Sequence, residues 1–243
     1  MLRKFKLAKK LLQDRKYPYI SHGYKRIYNS IVNINKIIKG NGELLDIGGT
    51  GDLEYSRRNY SFKKYTNILC DFEYNYENTN TIDIRTDELL YDDNTFDVVV
   101  SHESLEHFWT IKEGGMLSWK GVLNFWNEAY RVLKPNGVFY VTTRNRVCPF
   151  ALCKALTNQP VQVSFSSIEA EEGGHVKEFS PDDLREIANK TNKFTNNKIY
   201  STNSLSRFHQ NETNKEIKNL KRFLKRDFKQ EELYDTLNFV STK

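Results

Sequence analysis

Short apolar runs alternate along the chain with longer amphipathic stretches, and polar turn residues separate them. The first run is Leu44, Leu45 and Ile47. Further runs lie at Tyr65–Cys70, Thr81–Ile84, Phe96–Ser101, Val138–Thr142, Lys198–Ser201 and Leu237–Ser241. Val98, Val99 and Val100 are consecutive, as in a strand buried on both faces of a parallel sheet. Helical periods fill the gaps. Ile27, Ile31, Ile34 and Ile38 recur through Tyr24–Lys39, and Gly40-Asn41-Gly42 closes that stretch. Leu53–Tyr60 and Gly121–Leu133 read as helices, the latter with Val122, Phe125, Trp126 and Tyr130 available to a core. Ser180-Pro181-Asp182-Asp183 is a helix start with a capping serine, proline at the first position and acids in the first turn. Met1–Lys16 and Asn211–Lys229 read as basic amphipathic helices, and Tyr17-Pro18-Tyr19 breaks the first.

This order predicts an α/β fold with a mainly parallel, seven-stranded sheet and helices on both faces. An N-terminal helical extension occupies 1–39. The main domain spans 40–243, with insertions near 109–120 and 144–174. Sheets of this kind bind ligands beyond the carboxyl ends of their strands. Asp46 to Gly51, Asp71, Asp83 and Ser101 fall on that edge. Glu43–Leu53 reads E-L-L-D-I-G-G-T-G-D-L, a strand, a glycine turn and a helix start. Glycines let a backbone approach a ligand, and a helix start offers unpaired N–H groups. An ordinary tight turn would suit a lone glycine cluster equally, so the downstream segments decide.

Composition narrows the classes. The 243 residues are 38% hydrophobic and 28% charged, as in a soluble globular protein. No apolar run reaches the ~18 residues of a membrane span. Basic residues scattered through Met1–Lys16 leave no signal-peptide core, which favours a cytoplasmic location. Cys70, Cys148 and Cys153 are too few for a tetrahedral metal site and read as reduced thiols. The net charge of +6 favours acidic partners mildly, although a uniformly lysine-rich surface explains it more simply. Nothing in the sequence specifies an oligomeric state.

Four blocks in order resemble the class I methyltransferases that use S-adenosylmethionine. They are L-L-D-I-G-G-T-G-D at Leu44–Asp52, D-D-N-T-F-D-V-V-V-S-H-E-S-L-E-H-F at Asp92–Phe108, E-A-Y-R-V-L-K-P-N-G-V-F-Y-V-T-T at Glu128–Thr143, and H-V-K-E-F-S-P-D-D-L at His175–Leu184. The resemblance implies a Rossmann-like fold and S-adenosyl-L-methionine as cofactor. It sets Asp46, Gly48, Gly49 and Gly51 against the amino-acid part of that cofactor. Thr50 and Asp52 stand where the usual pattern has further glycines, so the turn departs from it. Asp71 is implied at the ribose hydroxyls, and Asp83 with Ile84 at the adenine, with Asp87 as a rival. Ser101, His102 and Glu103 stand at the border between cofactor and acceptor, with Ser101 counted on the cofactor side.

A hydroxyl acceptor needs its proton removed, usually by His, Asp or Glu. His175 is the first candidate base, with His107 and Glu103 as rivals. Each has a plainer reading, His175 as a loop histidine and His107 as a helix anchor. Trp109 and Trp119, with Gly114-Gly115 between them, suit a lid that stacks on a sugar ring, or plain packing under a long loop. Asn158, Gln159, Gln162, Ser164, Ser166 and Ser167 add hydrogen-bonding groups.

Signatures of DNA amino-methylation, cytosine carbon methylation and ribose methylation are missing from the expected places. The expected acceptor is a small molecule, a hydroxyl of a sugar or glycan intermediate. RNA modification and a non-catalytic, cofactor-binding member of the fold are the alternatives. A nicotinamide dehydrogenase is weaker still, because Glu54 occupies the third slot of G-x-G-x-x-G.

Overall fold

Seven strands pair side by side in the computed structural model, which describes residues 31–36, 42–48, 64–69, 80–112, 115–149, 151, 177–202, 218, 221–222 and 227–243. They are β1 (Glu43–Ile47), β2 (Lys64–Leu69), β3 (Asn80–Thr81), β4 (Phe96–His102), β7 (Leu133–Arg144), β8 (Thr195–Thr202) and β9 (Thr236–Thr242). A separate two-stranded hairpin is formed by β5 (Thr110–Ile111) and β6 (Leu117–Ser118). The order across the large sheet is β3-β2-β1-β4-β7-β9-β8. The five strands from β3 to β7 are parallel throughout. Strand β9 runs antiparallel to both neighbours and closes the sheet against β8. After β3 the chain returns to the other side of β1, so the crevice between β1 and β4 is the topological switch point.

The central strands are apolar on both sides because helices cover both faces. On one face lies α1 (Lys120–Val132), which turns Val122, Phe125, Trp126, Ala129 and Val132 inward at helical spacing. Trp126 meets Phe139 edge-on at 4.9 Å and Phe239 at 4.8 Å. Each such side chain contributes about 1.5–3 kcal/mol on burial. On the other face, helical residues 31–36 set Ile31 and Ile34 against Leu44, Val98, Val100 and Tyr140. These six residues are the described part of the stretch 1–39. Helix α2 (Pro181–Thr191) begins as its sequence requires. Ser180 Oγ accepts from the Asp183 N–H, and the Asp183 carboxylate accepts from the Ser180 N–H at 2.7 Å. Such a cap contributes about 0.5–2 kcal/mol.

Two boundaries differ from the sequence reading. The third strand stops at Thr81 instead of running to Ile84. Asp83 ends it by drawing the chain into a turn, accepting at its side chain from the Arg85 N–H at 3.0 Å and at its carbonyl from the Asp87 N–H at 2.7 Å. The fifth strand of the parallel set begins at Leu133, ahead of the Pro135-Asn136-Gly137 turn, because Leu133 already pairs with Phe96.

Candidate active site

The carboxyl ends of β1 and β4 interlock. Asp46 is buried at the end of β1, and Gly48 follows it with a φ of +80°. A Cβ at Gly48 would lie 2.8 Å from both Cβ and Oγ of Ser104. Ser104 in turn sets its hydroxyl 2.8 Å from the Gly48 carbonyl oxygen and 2.9 Å from that of His102, donating to one at a time. The first glycine of the turn is therefore required twice, once by backbone conformation and once by the approach of β4.

Beyond β4 the chain turns sharply at Glu103, whose φ is +50°. Every other non-glycine residue with positive φ among the described residues is an asparagine, which tolerates that region better. A glutamate there is held by its surroundings. Its N–H donates to the Thr142 carbonyl at 2.9 Å, and its carboxylate lies 3.1 Å from Arg144 Nε at the end of β7. Burial disfavours the charge on Arg144, but the carboxylates of Glu103, Glu106, Asp235 and Glu178 outweigh it and hold the guanidinium protonated more firmly than usual. Glu106 is fully buried and accepts from Thr143 Oγ1 at 2.6 Å.

His102 is buried at the end of β4, and burial pushes its imidazole down to about 4. The unfolded chain binds that proton near its ordinary value of about 6.5, so acid favours unfolding. Stability should fall by about 2 kcal/mol between about pH 7 and about pH 5 from this group alone, and the loss should be complete below the folded value. His102→Gln should flatten that part of the profile in denaturant titrations. An unchanged slope would remove His102 as its source.

The other sequence candidates separate. Asp83 sits in the turn beyond β3, its carboxylate gripped by Arg85 Nε at 2.9 Å and Nη2 at 3.0 Å. Asp87 buttresses it by accepting from the Asp83 N–H at 3.0 Å. Ile84 is buried, and its carbonyl accepts from Asn124 Nδ2 at 2.9 Å. Ser101 is completely buried, so its hydroxyl does not face solvent. His107 closes the short 3-10 turn Leu105–His107 and is half-buried. Gly49, Gly51, Asp71 and His175 lie outside the described residues, as do Thr50, Asp52 and the polar stretch 158–167.

Trp109 packs instead of forming an open stacking face, and Trp119 beside it is half-buried. Trp109 is 2% exposed, and its Nε1 donates to the Lys177 carbonyl at 3.1 Å. It lies against Phe179 at 5.4 Å and Trp119 at 4.5 Å, with Lys177 Nζ 4.6 Å above its ring. The apolar area of Trp109 is satisfied by the core and by Phe179, which bridges to Asn145 beyond β7. The sequence reading missed Arg144 altogether, because it placed that residue at the start of an insertion. The signal was an arginine directly after the strand run V-F-Y-V-T-T.

Residues 59–141 match a family model described as a methyltransferase domain. No curated protein sequence matches the chain. Among solved structures, a SAM-dependent methyltransferase from Archaeoglobus fulgidus has a TM-score of 0.54 at 15% identity, over 98% of this chain and 99% of that one. A possible histamine N-methyltransferase from Thermotoga maritima has a TM-score of 0.52 at 12% identity, over the whole of both chains. The plantazolicin methyltransferase BpumL, solved with SAH, has a TM-score of 0.51 at 16% identity, over 98% of this chain and 90% of that one. At such identities the likeness is one of fold. The domain match runs through β2, β4 and most of β7, so the part of the chain similar to a methyltransferase domain is the parallel half of the sheet, and the whole-chain likeness is to the fold of S-adenosylmethionine-dependent methyltransferases.

Proposed function

We propose that the protein methylates a small molecule, at a hydroxyl of a sugar or glycan intermediate, with S-adenosylmethionine as the donor. The observation that carries the cofactor part is the interlocked pair of turns at the switch point. Gly48 brings backbone close to a ligand there, and Asp46 and Asp83 supply carboxylate oxygens able to accept from amino groups. Asp46 and Gly48 would hold the amino-acid end, and Asp83, already oriented by Arg85, the adenine amino group. The bound cofactor supplies a methyl group activated by its cationic sulfur. The chain has then mainly to align the acceptor and exclude water. His175, His107 and Glu103 are the groups proposed for proton removal. Glu103 stands directly after β4, and Arg144 fixes its carboxylate.

The acceptor reading rests on the missing nucleic-acid signatures and on the polar stretch at 158–167. The +6 charge and the basic terminal stretches favour RNA as the second reading. Labelled cofactor should be offered with a small-molecule extract and, separately, with total RNA. Label in the small-molecule fraction is the expected result. Label in RNA alone, declining steeply with salt, would transfer the assignment to RNA. Cofactor binding without transfer to either fraction would favour a non-catalytic member of the fold.

A further inference from the structure

Strand β3 is only Asn80 and Thr81, and among the described residues it pairs with β2 alone, at the margin of the sheet. The sheet therefore gives little hold to the turn that follows, Asp83 to Asp87. That turn is shaped from within. Arg85 donates its N–H, Nε and Nη2 to the Asp83 carboxylate, and the Asp83 carbonyl accepts from the Thr86 and Asp87 N–H groups. Bonds so local set the shape of a turn, but not where it stands relative to the other strands.

Helix α1 supplies the placement. Asn124 Nδ2 donates to the Ile84 carbonyl at 2.9 Å and to the Asp87 carbonyl at 3.0 Å, across 40 and 37 positions. An amide nitrogen carries two hydrogens, so both are spent on the turn. Further along the same side of the helix, Glu128 Oε2 accepts from the Leu89 N–H at 2.7 Å. Arg131 then donates to the Leu89 carbonyl at 2.8 Å and to the Tyr91 carbonyl at 2.7 Å. Asn124, Glu128 and Arg131 recur at helical spacing, so one stripe of α1 fastens the segment from Ile84 to Tyr91. Gly121 permits the close approach, because a Cβ there would collide with the Phe108 carbonyl and lie 2.9 Å from Arg85 Cβ.

We infer that Asn124 is a positioning residue for the adenine end of the cofactor. The inference rests on the methyltransferase reading, in which Asp83 accepts from the adenine amino group, and deepens it. The Asp83 side chain is 22% exposed. A carboxylate has about four acceptor sites and Arg85 takes three of them, which leaves room for one further donor. Asn124 itself touches no ligand. It holds Ile84 and Asp87, and through them sets where the Asp83 carboxylate stands beyond the sheet. Removing it leaves Glu128 and Arg131 fastened, so only the Asp83 end of the segment is released. The Asp87 carbonyl is exposed, and water can replace the lost donor there. The loss therefore falls on ligand selection more than on folding.

Calorimetry with the full chain compares S-adenosylhomocysteine with S-inosylhomocysteine, which carries an oxo group in place of the adenine amino group. The wild-type chain should prefer S-adenosylhomocysteine by about tenfold or more, because the oxo group offers Asp83 no donor. Asn124→Ala should cut that preference to about threefold or less, with little change in the denaturant midpoint of unfolding. Asn124→Asp keeps the shape but turns an acceptor towards the two carbonyls, and should cut the preference at least as far. Asp83→Ala should abolish the preference, and adding Asn124→Ala to it should weaken S-adenosylhomocysteine binding no further, since Asn124 acts through Asp83. An asparagine with a merely structural role would weaken both ligands alike and add its effect to that of Asp83→Ala. Either that pattern, or an unchanged preference in both Asn124 variants, would overturn the inference and leave the methyltransferase reading intact. A wild-type chain that binds both ligands equally would overturn the inference together with the adenine role of Asp83. Failure of the wild-type chain to bind S-adenosylhomocysteine would overturn both the inference and the methyltransferase reading.

Discussion

Arg144→Met is expected to destabilise the protein by about 3–5 kcal/mol, the range for stranding buried charge by removing its partner. The guanidinium pairs with Glu103 and also feels the carboxylates of Glu106, Asp235 and Glu178. Glu106 is 0% exposed, Glu178 7% and Asp235 9%, so water cannot take over the role of the arginine. Methionine would fill much of the same volume, which keeps cavity effects small and isolates the electrostatic loss. Arg144→Lys should lose less, because the charge survives while the planar fork does not. Adding Glu106→Gln to Arg144→Met should recover part of the loss, since the two groups act on each other. Denaturant unfolding of the single and double variants is the measurement. A loss below about 1 kcal/mol for Arg144→Met would show that the acids are compensated by something else.

Gly48→Val is the second large expected effect, and it acts on both folding and cofactor binding. A side chain at φ +80° carries about 1–2 kcal/mol of strain. Its Cβ would also lie 2.8 Å from Ser104 Cβ, and Ser104 cannot withdraw without losing its bond to the Gly48 carbonyl. The turn must therefore open, moving the backbone proposed to face the cofactor. Affinity for S-adenosylhomocysteine should drop more than about tenfold, which corresponds to 1.4 kcal/mol or more. Gly48→Asn separates the two causes, because asparagine tolerates the dihedral and keeps the collision. Ser104→Gly added to Gly48→Ala relieves the collision and keeps the dihedral. Wild-type affinity in a folded Gly48→Val protein would remove this turn from the cofactor site.

The parts of the fold that were legible in the sequence are those where one local pattern admits one solution. Three consecutive valines can only be buried on both faces, and Ser180-Pro181-Asp182-Asp183 can only start a helix. The switch point followed from strand order, and Gly48 from the glycine turn after β1. The rest depended on partners remote in sequence. Asp83 could not be seen to leave β3 without knowing that Arg85 folds back on it. Trp109 suits a lid or plain packing in sequence, and only the stacking of Phe179 on it shows that it packs. Arg144 acquires its importance from four carboxylates scattered from Glu103 to Asp235, a grouping that no window of sequence contains.

The reversed strand β9 also sets an order of assembly. Among the described residues strand β8 pairs with β9 alone, and β9 bridges it to β7. The link between Tyr140 and Asn238 spans 98 positions. A nascent chain can therefore pair β1 to β4 and β7 through shorter loops, while β8 waits for β9 to leave the ribosome. Contacts of such long range form late and slowly. The register that sets His102 beside Thr142, Asn238 and Tyr200 crosses β4, β7, β9 and β8, so it is complete only after that last insertion. A half-made chain can hold its parallel core and still lack the antiparallel edge that β9 and β8 add to it.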